Sequence, residues 1–126
     1  MLEINKIYNM NCLDGLKQLD NECVDLTVTS PPYDDLRNYG QEDLGWNFEK
    51  FKIIAKHLYD ITKPGGLLVW VVGDATIKGG ETLTSFKQAL YFQEIGFKCH
   101  DTMIYEKNSS SFPASRTSKR YTQIFE

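Results

Sequence analysis

At 126 residues, the chain has the length of one domain with a modest core. Its 41% apolar and 25% charged content is that of an ordinary globular protein, and a net charge of −3 excludes a generally basic nucleic-acid coat while leaving room for a local basic patch. The longest apolar run, Leu67 to Val72, is far too short to span a bilayer, and no charged start followed by an apolar core opens the chain. Cys12, Cys23 and Cys99 have no C-x-x-C spacing, which argues against a disulfide framework or a zinc cluster. A soluble, cytoplasmic protein without a metal site or a membrane partner is expected.

Taken in chain order, Ile4 to Asn9 reads as a short extended segment. Cys12, Leu13, Leu16 and Leu19 then fall at helical spacing. Val24 to Thr29 is a β-branched strand that runs into Ser30-Pro31-Pro32-Tyr33, where each proline ring fixes φ and removes a backbone donor. Residues 33–46, rich in Asp, Asn, Gly and Tyr, read as a long loop. Asn47 is a candidate N-cap for a helix whose stripe is Phe48, Phe51, Ile54, Ala55, Leu58, Tyr59 and Ile61. Lys63-Pro64-Gly65-Gly66 ends it as a stop and turn, and Leu67 to Val72 follows as a central parallel strand closed by Gly73-Asp74. Gly79-Gly80 reads as a flexible turn. Leu83, Phe86, Leu90, Tyr91 and Ile95 predict a second amphipathic helix capped by Gly96. Extended character resumes from Phe97 to Lys107, and Tyr121 to Glu126 is expected to pair back on it as a hairpin. The order is that of half a doubly wound α/β sheet, an incomplete Rossmann-like fold in one domain over residues 1–126.

The proline-terminated strand end carries the most chemistry. It offers the Ser30 hydroxyl, main-chain carbonyls that the prolines leave unpaired, and the Tyr33 ring at the carboxyl edge of a parallel sheet, where open α/β folds bind ligands. Acceptors beside a stacking ring suit a flat ligand bearing an amino group. A rigid strand exit with Tyr33 as a lid is the plainer alternative. Asp25 reads as solvent-facing, and Asp34 and Asp35 as loop surface, with contact to a ligand as the alternative. Asp74 is explained equally well by capping and by function.

Basic groups gather late. Lys107, Arg116, Lys119 and Arg120 have no acid among them, and with Phe112 on a Ser-rich loop they suit backbone contact with nucleic acid as well as they suit a solvated loop. Lys78 beside Gly79-Gly80 is a further candidate phosphate contact. Trp46 reads as a loop aromatic open to a functional role, Trp70 as core, and His57 as a boundary residue. Cys99, His100 and Asp101 alternate faces and do not share a metal readily.

Asp25-Leu26-Thr27-Val28-Thr29-Ser30-Pro31-Pro32-Tyr33, Lys63-Pro64-Gly65-Gly66-Leu67-Leu68-Val69-Trp70, and Ile95-Gly96-Phe97 with Asp101 to Lys107 together resemble the amino-methylating DNA methyltransferases of bacteria and phages. The resemblance implies an S-adenosylmethionine-dependent enzyme acting on cytosine N4 or adenine N6 of a flipped base in double-stranded DNA. It makes Ser30, Pro31, Pro32 and Tyr33 the catalytic loop, with Ser at the first position leaning toward cytosine. It also offers Asp14 and Ser30 as cofactor contacts, and Lys78, Arg116, Lys119 and Arg120 as DNA contacts. The Asp-Pro-Phe segment and glycine-rich turn with which such enzymes hold the cofactor are absent from the sequence. The chain is therefore expected to be the amino-terminal catalytic half, truncated, split or degenerate, with little activity alone and with an exposed edge that favours self-association or a complementary carboxyl-terminal half. The competing readings are a non-enzymatic DNA-binding or subunit remnant and an RNA or protein amine methyltransferase; Ser30 and the long following loop favour a DNA base.

Overall fold

A computed structural model describes residues 2–33 and 45–106 and the backbone of 122–125. In chain order the elements are α1 (Cys12–Leu16), β1 (Val24–Thr29), α2 (Phe48–Ile61), β2 (Thr62–Gly73), β3 (Thr76–Ile77), β4 (Gly80–Glu81), α3 (Thr84–Ile95), β5 (Thr102–Tyr105) and β6 (Thr122–Phe125). A four-stranded sheet has the order β1-β2-β6-β5, and β3 and β4 form a separate hairpin. β1 and β2 run parallel; β6 is antiparallel to both β2 and β5, so β5 points the same way as β1 and β2. The expected terminal hairpin is present, and its second strand lies inward beside β2.

α2 forms as its sequence dictates. The Asn47 side chain accepts from the Lys50 amide at 2.8 Å, satisfying an otherwise orphaned donor of the first turn. Phe51, Ile54, Ala55, Leu58 and Ile61 fall on one buried face. At the other end Thr62 turns extended and its hydroxyl donates to the Leu58 carbonyl at 2.6 Å. The following Lys63-Pro64-Gly65-Gly66 is a bulge in the ladder: between the pairs Val24↔Thr62 and Leu26↔Leu67, two residues of β1 span five of β2. Gly65 takes a φ of +80°, and a Cβ on Gly66 would stand 2.9 Å from the Lys63 carbonyl and 3.1 Å from that of Asp25, so the bulge requires both glycines. Across it Lys63 Nζ meets Asp25 Oδ1 at 3.0 Å, an exposed pair of small energetic weight.

The core lies between one face of the sheet and the helices. Leu68, Trp70 and Val72 of β2 point into it. Phe51, fully buried, contacts the rings of Trp46, Phe48, Trp70, Tyr91 and Phe92 with centroids 5.2 to 6.4 Å apart. Trp46 thus packs against the core rather than standing in the loop as a free aromatic. The opposite face of the sheet is open, with Leu26 at 55%, Val28 at 63% and Leu67 at 48% exposure.

Two expectations are corrected. Ile4 to Asn9 forms no strand, because an extended segment becomes one only with a ladder partner; Ile4 and Ile7 are instead fully or largely exposed. α3 buries only part of its apolar stripe: Tyr91 and Ile95 pack against the core beside the buried Ser85, Gln88 and Phe92, whereas Leu83, Phe86 and Leu90 are exposed. Two polar side chains are buried there because each has a partner, Gln88 Oε1 accepting from Trp70 Nε1 at 2.9 Å and Ser85 bonding Asp74. Gly96 does cap the helix, at a φ of +127° with its amide bonded to the Gln93 carbonyl.

These positions should reverse the usual ranking of polar and apolar substitutions. Gln88→Ala, which leaves the buried Trp70 N–H without its acceptor, is expected to lower the unfolding free energy by about 1–3 kcal/mol in a urea titration. Leu90→Ala, on the exposed side, should stay within about 0.5 kcal/mol of the parent.

Candidate active site

Parallel pairing brings the ends of β1 and β2 to one edge. Thr29 is paired with Trp70, so the chain leaves β1 at Ser30 while β2 continues to Gly73. Thr122, the first residue of β6, pairs with both Gly73 and Tyr105, which puts the end of β5 and the start of β6 at that same edge. The segment carrying Phe112, Arg116, Lys119 and Arg120 connects these two points in sequence; those residues, like Asp34 and Asp35, lie outside the described residues.

At the end of β1, Pro31 is buried, Pro32 and Tyr33 are half-buried and Ser30 is exposed. Ser30 Oγ donates to the Tyr33 hydroxyl at 3.0 Å. A serine hydroxyl has one proton and two lone pairs. With the proton directed to Tyr33, the oxygen turns its lone pairs outward as an acceptor, and the bond ties the ring to the hydroxyl. The two groups that the sequence singled out are therefore joined.

Asp14 is not part of that cluster. It is exposed in the first turn of α1, where its main-chain carbonyl accepts from the Gln18 side chain at 3.1 Å, and it makes no bond to Ser30 or Tyr33.

At the end of β2, Asp74 caps α3. Leu83, at the N-cap of α3, has a left-handed φ of +56° and no capping side chain. Asp74 supplies the missing acceptor, its Oδ1 taking the Ser85 amide at 2.7 Å and its Oδ2 the Ser85 hydroxyl at 2.6 Å. Between Asp74 and Leu83 the chain forms the β3–β4 hairpin, with Ile77 paired to Gly80 across Lys78-Gly79. Lys78 at φ +52° and Gly79 at φ +81° give the positive φ at both central residues that a two-residue type I′ turn requires. The region read as a flexible turn is thus a hairpin closed at its base, where Thr82 N–H donates to the Ala75 carbonyl at 2.9 Å and Ala75 N–H to Thr82 Oγ1 at 3.3 Å. Its sequence signal was the lysine-glycine pair between short β-compatible runs.

A large cleft of about 820 Å³ opens at the amino edge of the sheet, lined by Glu22, Lys63, Gly65, Gly96, Lys98 and His100 among others. It lies across the sheet from Ser30, on the edge where α/β folds seldom place chemistry. Among the described residues no group of three His, Cys, Asp or Glu side chains converges, and no helix is long and apolar enough to cross a membrane.

With this geometry in hand, the DNA methylase family model matches residues 24–126. The chain belongs to the N6/N4 DNA methylase family. Among the family's proteins, the orphan methyltransferase M.BamHII of Bacillus amyloliquefaciens is 59% identical over 112 residues, covering 88% of this chain and 39% of the relative. M1.MboII of Moraxella bovis, a type II methyltransferase, is 61% identical over 33 residues, covering 26% of this chain and 13% of the relative. The chain thus spans well under half the length of these curated relatives. In fold it is similar to the cytosine-N4-specific PvuII DNA methyltransferase, with a TM-score of 0.69 at 23% identity over 94% of this chain and 47% of that one. A protein of Thermus thermophilus assigned as a DNA modification methylase, solved with S-adenosyl-L-methionine, gives 0.67 at 23% identity over 91% and 49%. The expected α/β methyltransferase fold is what these neighbours share with this chain.

Asp74→Ala should release both the helix and the hairpin. Loss of the two bonds to buried Ser85 is expected to cost about 1–3 kcal/mol and to shorten hydrogen-exchange lifetimes at the Thr82 and Ser85 amides, with little change at Phe51 or Ala55 in α2.

Proposed function

We propose that this chain is the target-base half of an S-adenosylmethionine-dependent methyltransferase that modifies an exocyclic amine, cytosine N4 or adenine N6, of a base flipped out of duplex DNA. The observation that carries the reading is the Ser30–Tyr33 hydrogen bond on a proline-fixed strand end, in a chain of the N6/N4 family. The lone pair of an exocyclic amine is delocalised into the ring, and the nitrogen becomes nucleophilic as it turns tetrahedral. Ser30 Oγ and the Pro31 carbonyl accept hydrogen bonds from its two N–H groups and favour that change; the N–C bond would form as the donor's S–C bond breaks with its electron pair left on sulfur, and the displaced amine proton would pass to solvent. Tyr33, held by Ser30, stacks on the extruded base. No general base with a tuned pKa is required, because preorganised dipoles and positioning supply the stabilisation.

S-adenosylmethionine, when bound, provides a sulfonium-activated methyl group. The described residues fit this cofactor only in part. Asp14, whose carboxylate has no partner among them, is chemically suited to an ammonium or to ribose hydroxyls, and Ser30 would offer a hydroxyl. A glycine-rich cofactor turn is not in the sequence. We assign the remaining contacts to a complementary portion like that of the longer relatives, or to a second copy, seated against the open sheet face of Leu26, Val28 and Leu67. That open face equally favours a second reading, a subunit that contributes the base site without binding cofactor itself; calorimetry with S-adenosylmethionine separates the two.

Incubated with labelled S-adenosylmethionine and unmethylated duplex, the chain alone is expected to incorporate little methyl. Co-expression with the part of M.BamHII outside the matched region should raise incorporation, and Ser30→Ala should then lower the rate by about 10²- to 10³-fold, as loss of one preorganised polar contact does elsewhere. Robust incorporation by the chain alone would overturn the half-site assignment.

A further inference from the structure

The β3–β4 hairpin has features that turn chemistry alone does not explain. A type I′ turn favours Asn or Gly at its first central position, since both central residues need positive φ. Here that position is Lys78, at φ +52°, a conformation that costs a side-chain-bearing residue roughly 1 kcal/mol or more. Lys78 makes no ion pair or hydrogen bond among the described residues, and all of residues 76–81 are exposed. By contrast the base is fixed: Asp74, Ala75 and Ser85 are buried, and the Asp74–Ser85 and Ala75–Thr82 bonds clamp the two legs. A strained, unpartnered cation is thus held on a rigid stalk.

Location supplies the ligand class. The stalk rises from the end of β2, the strand next in the sheet to β1, and begins after Gly73, three residues beyond the Trp70 that pairs with Thr29 before the Ser30 loop. On its other side Gly73 pairs with Thr122, which closes the Lys107 to Arg120 stretch in sequence. An exposed cation at the exit of the strand beside a candidate base-binding loop is chemically suited to a phosphate of the same nucleic acid. Resting on the DNA methyltransferase reading above, we propose that the β3–β4 hairpin is a preformed finger that seats Lys78 on a backbone phosphate of duplex DNA beside the extruded base. The two glycines that follow, Gly79 and Gly80, leave room for close backbone approach: a Cβ on Gly79 would meet nothing within 4 Å. Such a contact fixes register and carries no sequence information.

The test is Lys78→Asn, with Lys78→Arg as its control, in the full chain. Asparagine relaxes the turn, so the urea midpoint should hold or rise. Affinity for a fluorescent duplex, read by anisotropy, should nevertheless fall roughly threefold or more at about 150–200 mM salt, and the slope of log K against log salt should flatten by about one. Lys78→Arg should keep both affinity and slope. A chain that binds duplex with the same affinity and slope after Lys78→Asn overturns the finger and leaves the methyl-transfer reading standing. If the complemented enzyme transfers no methyl yet Lys78→Asn still weakens duplex binding, the catalytic reading fails and the finger survives; absence of duplex binding by the unsubstituted chain overturns the finger outright.

Discussion

Parallel pairing of β1 with β2 is the constraint on which the rest of the molecule depends. Five register pairs hold the two strands, and the bulge at Lys63 to Gly66 sets their relative advance, so that β1 ends at Thr29 while β2 runs on to Gly73. Without the bulge the apolar residues of β2 would not alternate correctly against the helices, since a one-residue slip turns every side chain to the other face. With it, Leu68, Trp70 and Val72 enter the core, and the proline loop stands beside the root of the β3–β4 hairpin. Gly66 is close to both backbones at this point, which is why the bulge has sequence requirements as strict as those of the proline pair.

Polar groups do the fine positioning above this frame. Trp70 Nε1 to Gln88 and Asp74 to Ser85 join consecutive stretches of β2 and its exit to consecutive turns of α3. Each pair removes a buried donor from deficit, and each has direction, which hydrophobic contact lacks. Phe92 alone could slide on Phe51 and Trp70 with modest loss; the hydrogen bonds fix the rotation of α3 about its axis and therefore the height at which the hairpin leaves the sheet.

How much of this was legible in the sequence follows from the kind of signal each element carries. α2 announces itself by Asn47 and a regular apolar stripe, and β2 by an apolar run between glycines, because in both the local code and the tertiary environment agree. The Ser30 to Tyr33 loop was readable because proline acts on the backbone whatever surrounds it. α3 was legible as a helix and illegible in its facing: the residues that meet the core include Ser85 and Gln88, whose burial depends on partners 11 and 18 positions away in sequence. Ile4 to Asn9 failed for the converse reason, an extended character without a neighbouring strand to realise it.

The distribution of exposed apolar surface separates two roles within the same sheet. One face, built of Leu68, Trp70 and Val72, is covered by aromatic rings and two hydrogen-bonded polar pairs. The other face leaves Leu26, Val28 and Leu67 about half or more exposed on adjacent strands, and β1 keeps an unpaired edge among the described residues. Scattered apolar residues on a surface need no account, but neighbouring ones on a free-edged sheet face are what a second layer of structure covers. Because the Ser30 to Tyr33 loop is the direct continuation of that same β1, whatever packs on its edge or face also bears on the setting of Ser30. The uncovered surface and the candidate site are therefore one mechanical unit, and what covers the first also constrains the second.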